Sequence, residues 1–358
     1  MAKKVVKEEA LDGDLAEAIM DDVNKAHGAG TALSLSDGGL SIHVPGVIPT
    51  GSAWLDWALG RGGWPLSRII LVGGDEGTGK TTLAIHACAN VQAMGGIAIY
   101  LDAEFKLDMA YADMLGVDCD KLVLMQPTHI EQAMDMVERV VTMVRRKRTS
   151  SGKAVPVLVV FDSISSIPCK AELEGTMEDH NMGGNARAMG KGLRNVTHLV
   201  TSESICFLMI SQLREKIGVM FGENTSTACG KAPRYHACTI VNLGQGKRVK
   251  DGDESTGSGT HVYVNKNQVA PPHRKSELRI MYGEGIDRAH GIHGAATSSG
   301  WAKLGGSWTK PPEASGIKAW SGLRDLADSR EADWDAIESA IREHYETTEW
   351  GHGGKTVN

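Results

Sequence analysis

One octapeptide constrains this chain more than any other stretch: Gly74, Asp75, Glu76, Gly77, Thr78, Gly79, Lys80 and Thr81. It fits G-x-x-x-x-G-K-[ST], the spacing of a phosphate-cradling P-loop. Residues 67–73 (SRIILVG) form a short apolar run of strand character, and residues 82–94, from Thr82 onward, read as a helix. Strand, glycine-rich loop and helix, in that order, are the setting the motif requires. Glycine lets backbone N–H groups curl around an anion without a Cβ clash, and the helix N-terminus adds partial positive charge. In such a loop Lys80 reaches the β- and γ-phosphates, and the Thr81 hydroxyl holds Mg²⁺. A chance glycine-rich turn is the alternative, and the filled motif with both flanks correct weighs against it.

Two further strands place carboxylates beside that loop. Residues 97–101 (IAIYL) run into Asp102, Ala103 and Glu104. Residues 156–161 (PVLVVF) run into Asp162. Open α/β sheets bind ligands beyond the C-terminal ends of their strands. Glu104 is therefore a candidate to orient or deprotonate a water aimed at a γ-phosphate, with a solvated strand-end carboxylate as the plain alternative. Asp162, at the end of the strongest strand pattern and downstream of the P-loop, fits the Walker B position that holds Mg²⁺.

The remaining segments fill out an α/β pattern. A strand is expected at 122–125 and an amphipathic helix from about 130 to 146, ending in the basic run 145–148 (RRKR). Cations suit a helix C-terminus, so a solvated helix end is favoured there over DNA binding. Residues 174–185 are polar, glycine-rich and loop-like. The helix after them carries Arg187, Lys191 and Arg194 at spacings of four and three, on one face. A strand at 206–210 ends in Ser211 and Gln212, and residues 213–231 then form a long stretch rich in Gly, Thr, Ser and Asn. Loops of that length are functional or disordered. Two of them, with basic residues close by, suggest a surface for an extended polyanion. Strands are expected at 239–243 and 261–265, joined by a charged, glycine-rich connection at 244–259, with a last strand at 276–282.

Both ends differ from this middle. Leu15, Ile19, Met20 and Val23 lie at helical spacing within residues 11–26. This short amphipathic helix either folds back on its own domain or docks on a neighbouring subunit. Trp54 and Trp57 suit core or interface positions. Beyond about 287, Trp301, Trp308, Trp320, Trp334 and Trp350 mark a small α/β appendage with a helix near 333–345 and an acidic tail.

Composition bounds the class. Hydrophobic content of 41% and charged content of 23% over 358 residues are those of a soluble globular chain. A net charge of -6 excludes a uniformly basic nucleic-acid binder but not a local basic surface. No apolar run reaches the ~20 residues of a membrane helix, and the N-terminus lacks a signal-peptide core, so a cytoplasmic protein without membrane partners is expected. Six cysteines without a C-x-x-C pair fit reduced thiols better than a metal site or a disulfide framework.

The residues resemble one family over most of the chain, the bacterial RecA recombinases. The matching runs are 76–86 (EGTGKTTLAIH), 100–108 (YLDAEFKLD), 111–118 (YADMLGVD), 170–175 (KAELEG), 212–222 (QLREKIGVMFG) and 282–286 (YGEGI). The resemblance implies a RecA-type P-loop ATPase core with a mostly parallel central sheet flanked by helices. Residues 1–45 would be an arm packing on the adjacent subunit, 46–286 the ATPase core and 287–358 a small C-terminal α/β domain. It implies a DNA-dependent ATPase that forms a helical filament on single-stranded DNA, with ATP and Mg²⁺ between subunits, and pairs that strand with homologous duplex DNA. Recombination mediators or repressor substrates would be further partners.

By the same resemblance, Glu104 is the catalytic carboxylate, Lys80, Thr81 and Asp162 handle phosphate and Mg²⁺, and Gln212 senses the γ-phosphate. Asp108, Tyr111 and Tyr282 lie on the adenine side. Met182, Gly183, Arg187, Arg194, Ile217, Gly230 and Lys231 lie near DNA. Lys266 matches the first of two lysines that reach across the subunit interface, while the second position holds Gln268, a neutral amide. Cys229 departs from a Gly-Gly-Asn run and adds a Cβ where backbone closeness to phosphate is wanted. Gly183 and Gly184 suggest a more mobile first loop. A hexameric motor ATPase on the same core, and a non-hydrolysing nucleotide-gated filament, are the alternatives.

Overall fold

The computed structural model describes residues 11–28, 31–32, 44–152, 154–176, 183–215, 225–227, 229–305, 308–315, 317–321 and 331–348. The chain forms two compact units, residues 1–44 and residues 45–358. The first contains helix α1 (Leu11–His27), after which the Asn24 amide bonds both the N–H and the C=O of Ala32.

The second unit opens with strand β1 (Val47–Ile48), helix α2 (Ala53–Leu59) and strand β2 (Trp64–Pro65), with β1 and β2 paired antiparallel. Ser52 caps α2 by accepting from the Leu55 N–H. There follow β3 (Arg68–Gly74), α3 (Lys80–Ala93), β4 (Ile97–Asp102), α4 (Met109–Met114), β5 (Val123–Met125), α5 (Ile130–Ser151) and β6 (Val157–Asp162). Next come α6 (Lys170–Glu174), α7 (Gly184–Thr201), β7 (Ile205–Glu215), β8 (Thr225–Thr227), α8 (Ala232–His236), β9 (Thr239–Asp251), β10 (Glu254–Asn267), β11 (Lys275–Met281) and β12 (Gly285–Ile286).

One large mixed sheet joins most of the strands, in the order β12-β11-β10-β9-β3-β7-β6-β4-β5. The six from β9 to β5 are parallel, and β10 to β12 continue the sheet antiparallel. Period-two alternation sends each strand's side chains to two cores. Ile70 and Val72 of β3, with Leu158 and Val160 of β6, meet Leu83, Ala84, Ala87 and Val91 of α3. Ile69 and Leu71, with Val157, Val159 and Phe161, meet α5 and α7 through Met134, Val137, Val141, Met189, Leu193 and Val196. Strands this apolar on both faces are what a helix-covered parallel sheet requires.

Several expectations are corrected. The connection expected at 244–259 is strand: β9 and β10 form a long hairpin that turns at Gly252. Its glycines, which read as loop in sequence, permit close cross-strand approach. A Cβ on Gly246 would stand 2.8 Å from the Gly259 carbonyl carbon, and one on Gly259 would stand 2.7 Å from the Lys247 oxygen. The register shifts at Ser255/Gly257 and Ser258/Thr260, as bulges do. Within the long stretch at 213–231, β7 runs on to Glu215 and β8 pairs back onto it. Helix α5 continues beyond 146 to Ser151, and Arg145 and Arg148 are not a free basic end. Both bond the buried carboxylate of Glu203, at 3.0 and 2.8 Å.

The C-terminal part contains α9 (Arg288–Ser298), a three-stranded antiparallel sheet of β13 (Lys303–Gly305), β14 (Trp308–Lys310) and β15 (Trp320–Ser321), and α10 (Glu331–Thr348). Ile292, Trp301, Trp320, Ile337, Ile341 and Tyr345 form its core, packed against Trp54 and Trp57 of α2. Two acidic residues of α10, Asp335 and Glu338, pair with Arg288.

Candidate active site

The P-loop joins β3 to α3 in the arrangement the sequence requires. Gly77 and Gly79 take left-handed φ values of 73° and 82°. A Cβ on Gly79 would meet only the movable end of the Ile280 side chain, so the positive φ is what favours glycine here. Gly74 is closed by packing, with the Leu243 backbone oxygen and Thr78 Oγ1 each 2.7 Å from where a Cβ would sit. Thr78 Oγ1 donates to the Asp75 carbonyl at 2.8 Å, Lys80 Nζ donates to the same oxygen at 2.6 Å, and Thr260 Oγ1 donates to the Thr78 carbonyl at 3.2 Å.

Parallel register assembles the rest. Asp102 lies opposite Asp162, and Gly74 opposite Gln212. The ends of four strands thus open on one cleft of about 450 Å³, bordered by Glu76, Gly77, Gly79, Lys80, Thr81, Thr82, Glu104, Tyr111, Asp162, Gln212 and Tyr282. Thr81 Oγ1 donates to Asp162 Oδ2 at 2.7 Å, and the buried Tyr100 hydroxyl donates to the same oxygen at 2.7 Å. The peptide between Asp162 and Ser163 is cis. Glu104 is held from two sides, by Ser163 Oγ at 2.8 Å and by Lys106 Nζ at 3.1 Å. Thr82 Oγ1 and the Tyr111 hydroxyl are 3.3 Å apart.

The charges are tuned by burial and partners. Burial raises the Asp162 carboxyl, against the hydrogen bonds from Tyr100 and Thr81 that favour its ionised form. Burial lowers the Lys80 ammonium, against the attraction of Asp162 and Asp75. Burial alone would raise the Glu104 carboxyl, but the hydrogen bonds from Ser163 and Lys106 prevail and hold it below the usual carboxylate range. The donor set fits a nucleotide with Mg²⁺: loop amides and an ammonium for phosphate, a hydroxyl and a carboxylate on one point for the cation.

Not every expected residue lies in the cleft. Asp108 caps α4, its carboxylate accepting from the N–H groups of Ala110 and Tyr111. Lys266 Nζ donates to the Arg234 and Tyr235 carbonyls at 3.2 and 3.3 Å. Arg187, Lys191 and Arg194 are all exposed on α7, as their spacing predicts. Gly183, with a φ of 74°, directly precedes α7, and Gly184 is the first residue of that helix. Gly230 takes a φ of 72° against Ala186 of α7, and Lys231 precedes α8 and is exposed. Met182 and Ile217 lie outside the described residues. The expectation for Cys229 is corrected. Its side chain is buried and its thiol donates to the Ile164 carbonyl at 2.9 Å, so it ties the second loop to the segment after β6 instead of crowding a phosphate.

Sequence reading missed Tyr100, Lys106 and Ser163. Tyr100 carried one signal, a hydroxyl inside an otherwise apolar strand. Lys106 and Ser163 carried none until folding brought them to Glu104.

The family model of the RecA N-terminal domain matches residues 14–287. The chain belongs to the RecA family. Protein RecA of Bacteroides thetaiotaomicron is 42% identical over 292 residues, 82% of this chain and 85% of that protein. Protein RecA of Bifidobacterium breve is 42% identical over 299 residues, covering 84% and 72%. Protein RecA of Mycobacterium sp. strain KMS is 40% identical over 303 residues, covering 84% and 82%. RecA membership accounts for the mixed sheet with its P-loop at the parallel strand ends, and it carries the activity of the family, DNA-dependent ATP hydrolysis in recombination and repair. No helix among the described residues is long and apolar enough to cross a membrane.

Proposed function

We propose that the P-loop cleft binds ATP with Mg²⁺ and hydrolyses it, and that this turnover serves a filament of the chain on single-stranded DNA. The observation that carries the reading is the meeting of Thr81 and Asp162 at 2.7 Å in one cleft with Glu104 and Lys80. Loop amides and Lys80 bind the phosphates, and Thr81 with Asp162 holds the cation. Mg²⁺ bound there neutralises charge on the β- and γ-phosphates. Glu104, kept ionised, orients a water and accepts its proton. Gln212 stands where cleft and second loop meet. Its N–H donates to Ser165 Oγ at 2.9 Å, so a contact with the terminal phosphate can be felt in the loop anchors.

Arg187, Arg194, Lys231 and the loop backbones at Gly183 and Gly230 form the DNA-facing surface, together with Met182 and Ile217. Cations and amides meeting phosphates hold a strand without reading its bases. Lys266 acts on the nucleotide of the neighbouring subunit, and Asp108, Tyr111 and Tyr282 border the adenine. The N-terminal arm, with Leu15 and Ile19 exposed, docks on that neighbour. Homologous duplex DNA is the second substrate, and recombination mediators or repressors are further partners.

Steady-state ATP hydrolysis with and without single-stranded DNA tests the proposal. Turnover stimulated by DNA and abolished in Lys80→Ala is the expected result. DNA binding that depends on nucleotide but occurs without turnover would replace it with a non-hydrolysing filament.

A further inference from the structure

The nucleotide cleft has a charge problem that its P-loop alone does not solve. Its border carries three carboxylates, Glu76, Glu104 and Asp162, and two ammonium groups, Lys80 and Lys106. Apart from Lys106, the described border supplies Lys80 alone against Glu76, Glu104 and a triphosphate, with Mg²⁺ at Thr81 and Asp162 and a lysine reaching from the neighbouring subunit as the other positive charges. Gln268, two residues beyond Lys266, is a neutral amide and adds no charge from that strand.

We propose that Lys106 is a second phosphate-binding cation of this cleft, exchanging its ion pair with Glu104 for the terminal phosphate of a bound nucleoside triphosphate. The inference rests on the reading of the cleft as an ATP site.

The root of Lys106 is fixed, while its side chain is exposed and its tip is held by Glu104. Its backbone N–H donates to Asp102 Oδ1 at 3.2 Å, and the next N–H, of Leu107, donates to Asp102 Oδ2 at 3.1 Å. Asp102 itself is buried at the end of β4. Between Glu104 and Lys106, Phe105 takes a left-handed φ of 56°, a conformation that costs free energy for a non-glycine residue. That turn sets the two side chains together at the cleft. The Lys106 side chain is 75% exposed, whereas that of Glu104 is 19% exposed and also anchored by Ser163. When the pair separates, the lysine is the partner that moves.

Exchange is favourable on simple electrostatics. An ion pair with one exposed partner contributes little to stability, whereas a phosphate offers a lysine a higher anionic charge and several acceptor oxygens. The same movement frees one Glu104 oxygen to accept a proton from water while Ser163 still orients the carboxylate. Lys106 thereby couples arrival of the terminal phosphate to exposure of the base.

Binding of ADP and of a non-hydrolysable ATP analogue to the full-length chain, measured with Mg²⁺ by fluorescence or calorimetry, tests this without relying on turnover. Lys106→Met is expected to leave ADP affinity unchanged and to weaken the analogue by about tenfold or more, the scale of one lost charge-assisted hydrogen bond. Lys106→Arg retains the analogue. Glu104→Gln, which releases the lysine, tightens the analogue relative to ADP. Equal loss of both ligands in Lys106→Met, or no loss of either, overturns the inference. Lys80→Ala separates the two levels: undiminished binding of both nucleotides in that variant would remove the ATP-site reading itself.

Discussion

At the scale of single residues, Glu104 shows how far environment, and not identity, sets the state of a carboxylate proposed as the base. A strand-end carboxylate is ordinary. Its two partners keep this one ionised, and neither partner could be chosen from the chain before folding. Ser163→Ala removes the donor to Glu104 Oε1 at 2.8 Å. Loss of a hydrogen bond to the charged form lets burial raise the carboxyl. The acid limb of the ATPase pH–rate profile is then expected to move to higher pH, with activity retained at alkaline pH. A profile superimposable on the parent after scaling would show that Ser163 does not tune the base. Gly79 is the opposite case, legible in sequence down to the conformation, because a cradle with positive φ favours a glycine motif.

At the scale of elements, α5 and α7 are tied together where β7 begins, and the tie is ionic. Glu203 has a side chain with no exposure, and it accepts from Arg145 and Arg148, whose own side chains are 44% and 42% exposed. Removing one partner of a fully buried pair costs ~3–5 kcal/mol; here both arginines can turn to water, so Glu203→Ala is expected to cost about 2 kcal/mol in chemical denaturation. Asp135→Ala, which breaks the exposed pair with Arg139, should stay within about 0.5 kcal/mol. The run 145–148 has the local pattern of a solvated helix end, yet half of it is a structural clamp. Residues 58 and 55 positions away in sequence made the difference, and no local pattern announces such a partner. The β9–β10 hairpin teaches the complementary lesson. Glycine and charge read as loop, yet two facing strands can use glycine to approach more closely than any side chain permits.

At the scale of the whole molecule, the C-terminal part is joined to the core through a buried carboxylate. Asp56 of α2 accepts from the Thr50 N–H at 2.9 Å and stands 3.7 Å from Arg342 of α10. Burial pushes its carboxyl up to about 7, with Arg342 and the Thr50 N–H opposing the shift. A carboxyl raised on folding binds a proton more tightly in the native state than in the unfolded chain. Its contribution is therefore fully present below the unfolded value near 3.8 and is lost as pH rises through about 7. The stability of the parent relative to Asp56→Asn is expected to fall by a few kcal/mol between pH 4 and pH 8, read from unfolding midpoints at each pH. A constant difference would mean that Asp56 stays ionised throughout.

The P-loop, the apolar strands that follow it and the carboxylates at their ends are local patterns, so the sequence alone determined the P-loop cleft, the α/β class and the family. A turn needs glycine, a buried parallel strand needs a continuous apolar run, and both requirements act within a few residues. What only the tertiary structure decided are the partners: Tyr100 on Asp162, Ser163 and Lys106 on Glu104, Cys229 on Ile164, Glu203 between two arginines. Each is a contact between side chains or backbone groups whose proximity is set by sheet register and helix packing. Such distances are a property of the assembled layers and of no segment within them.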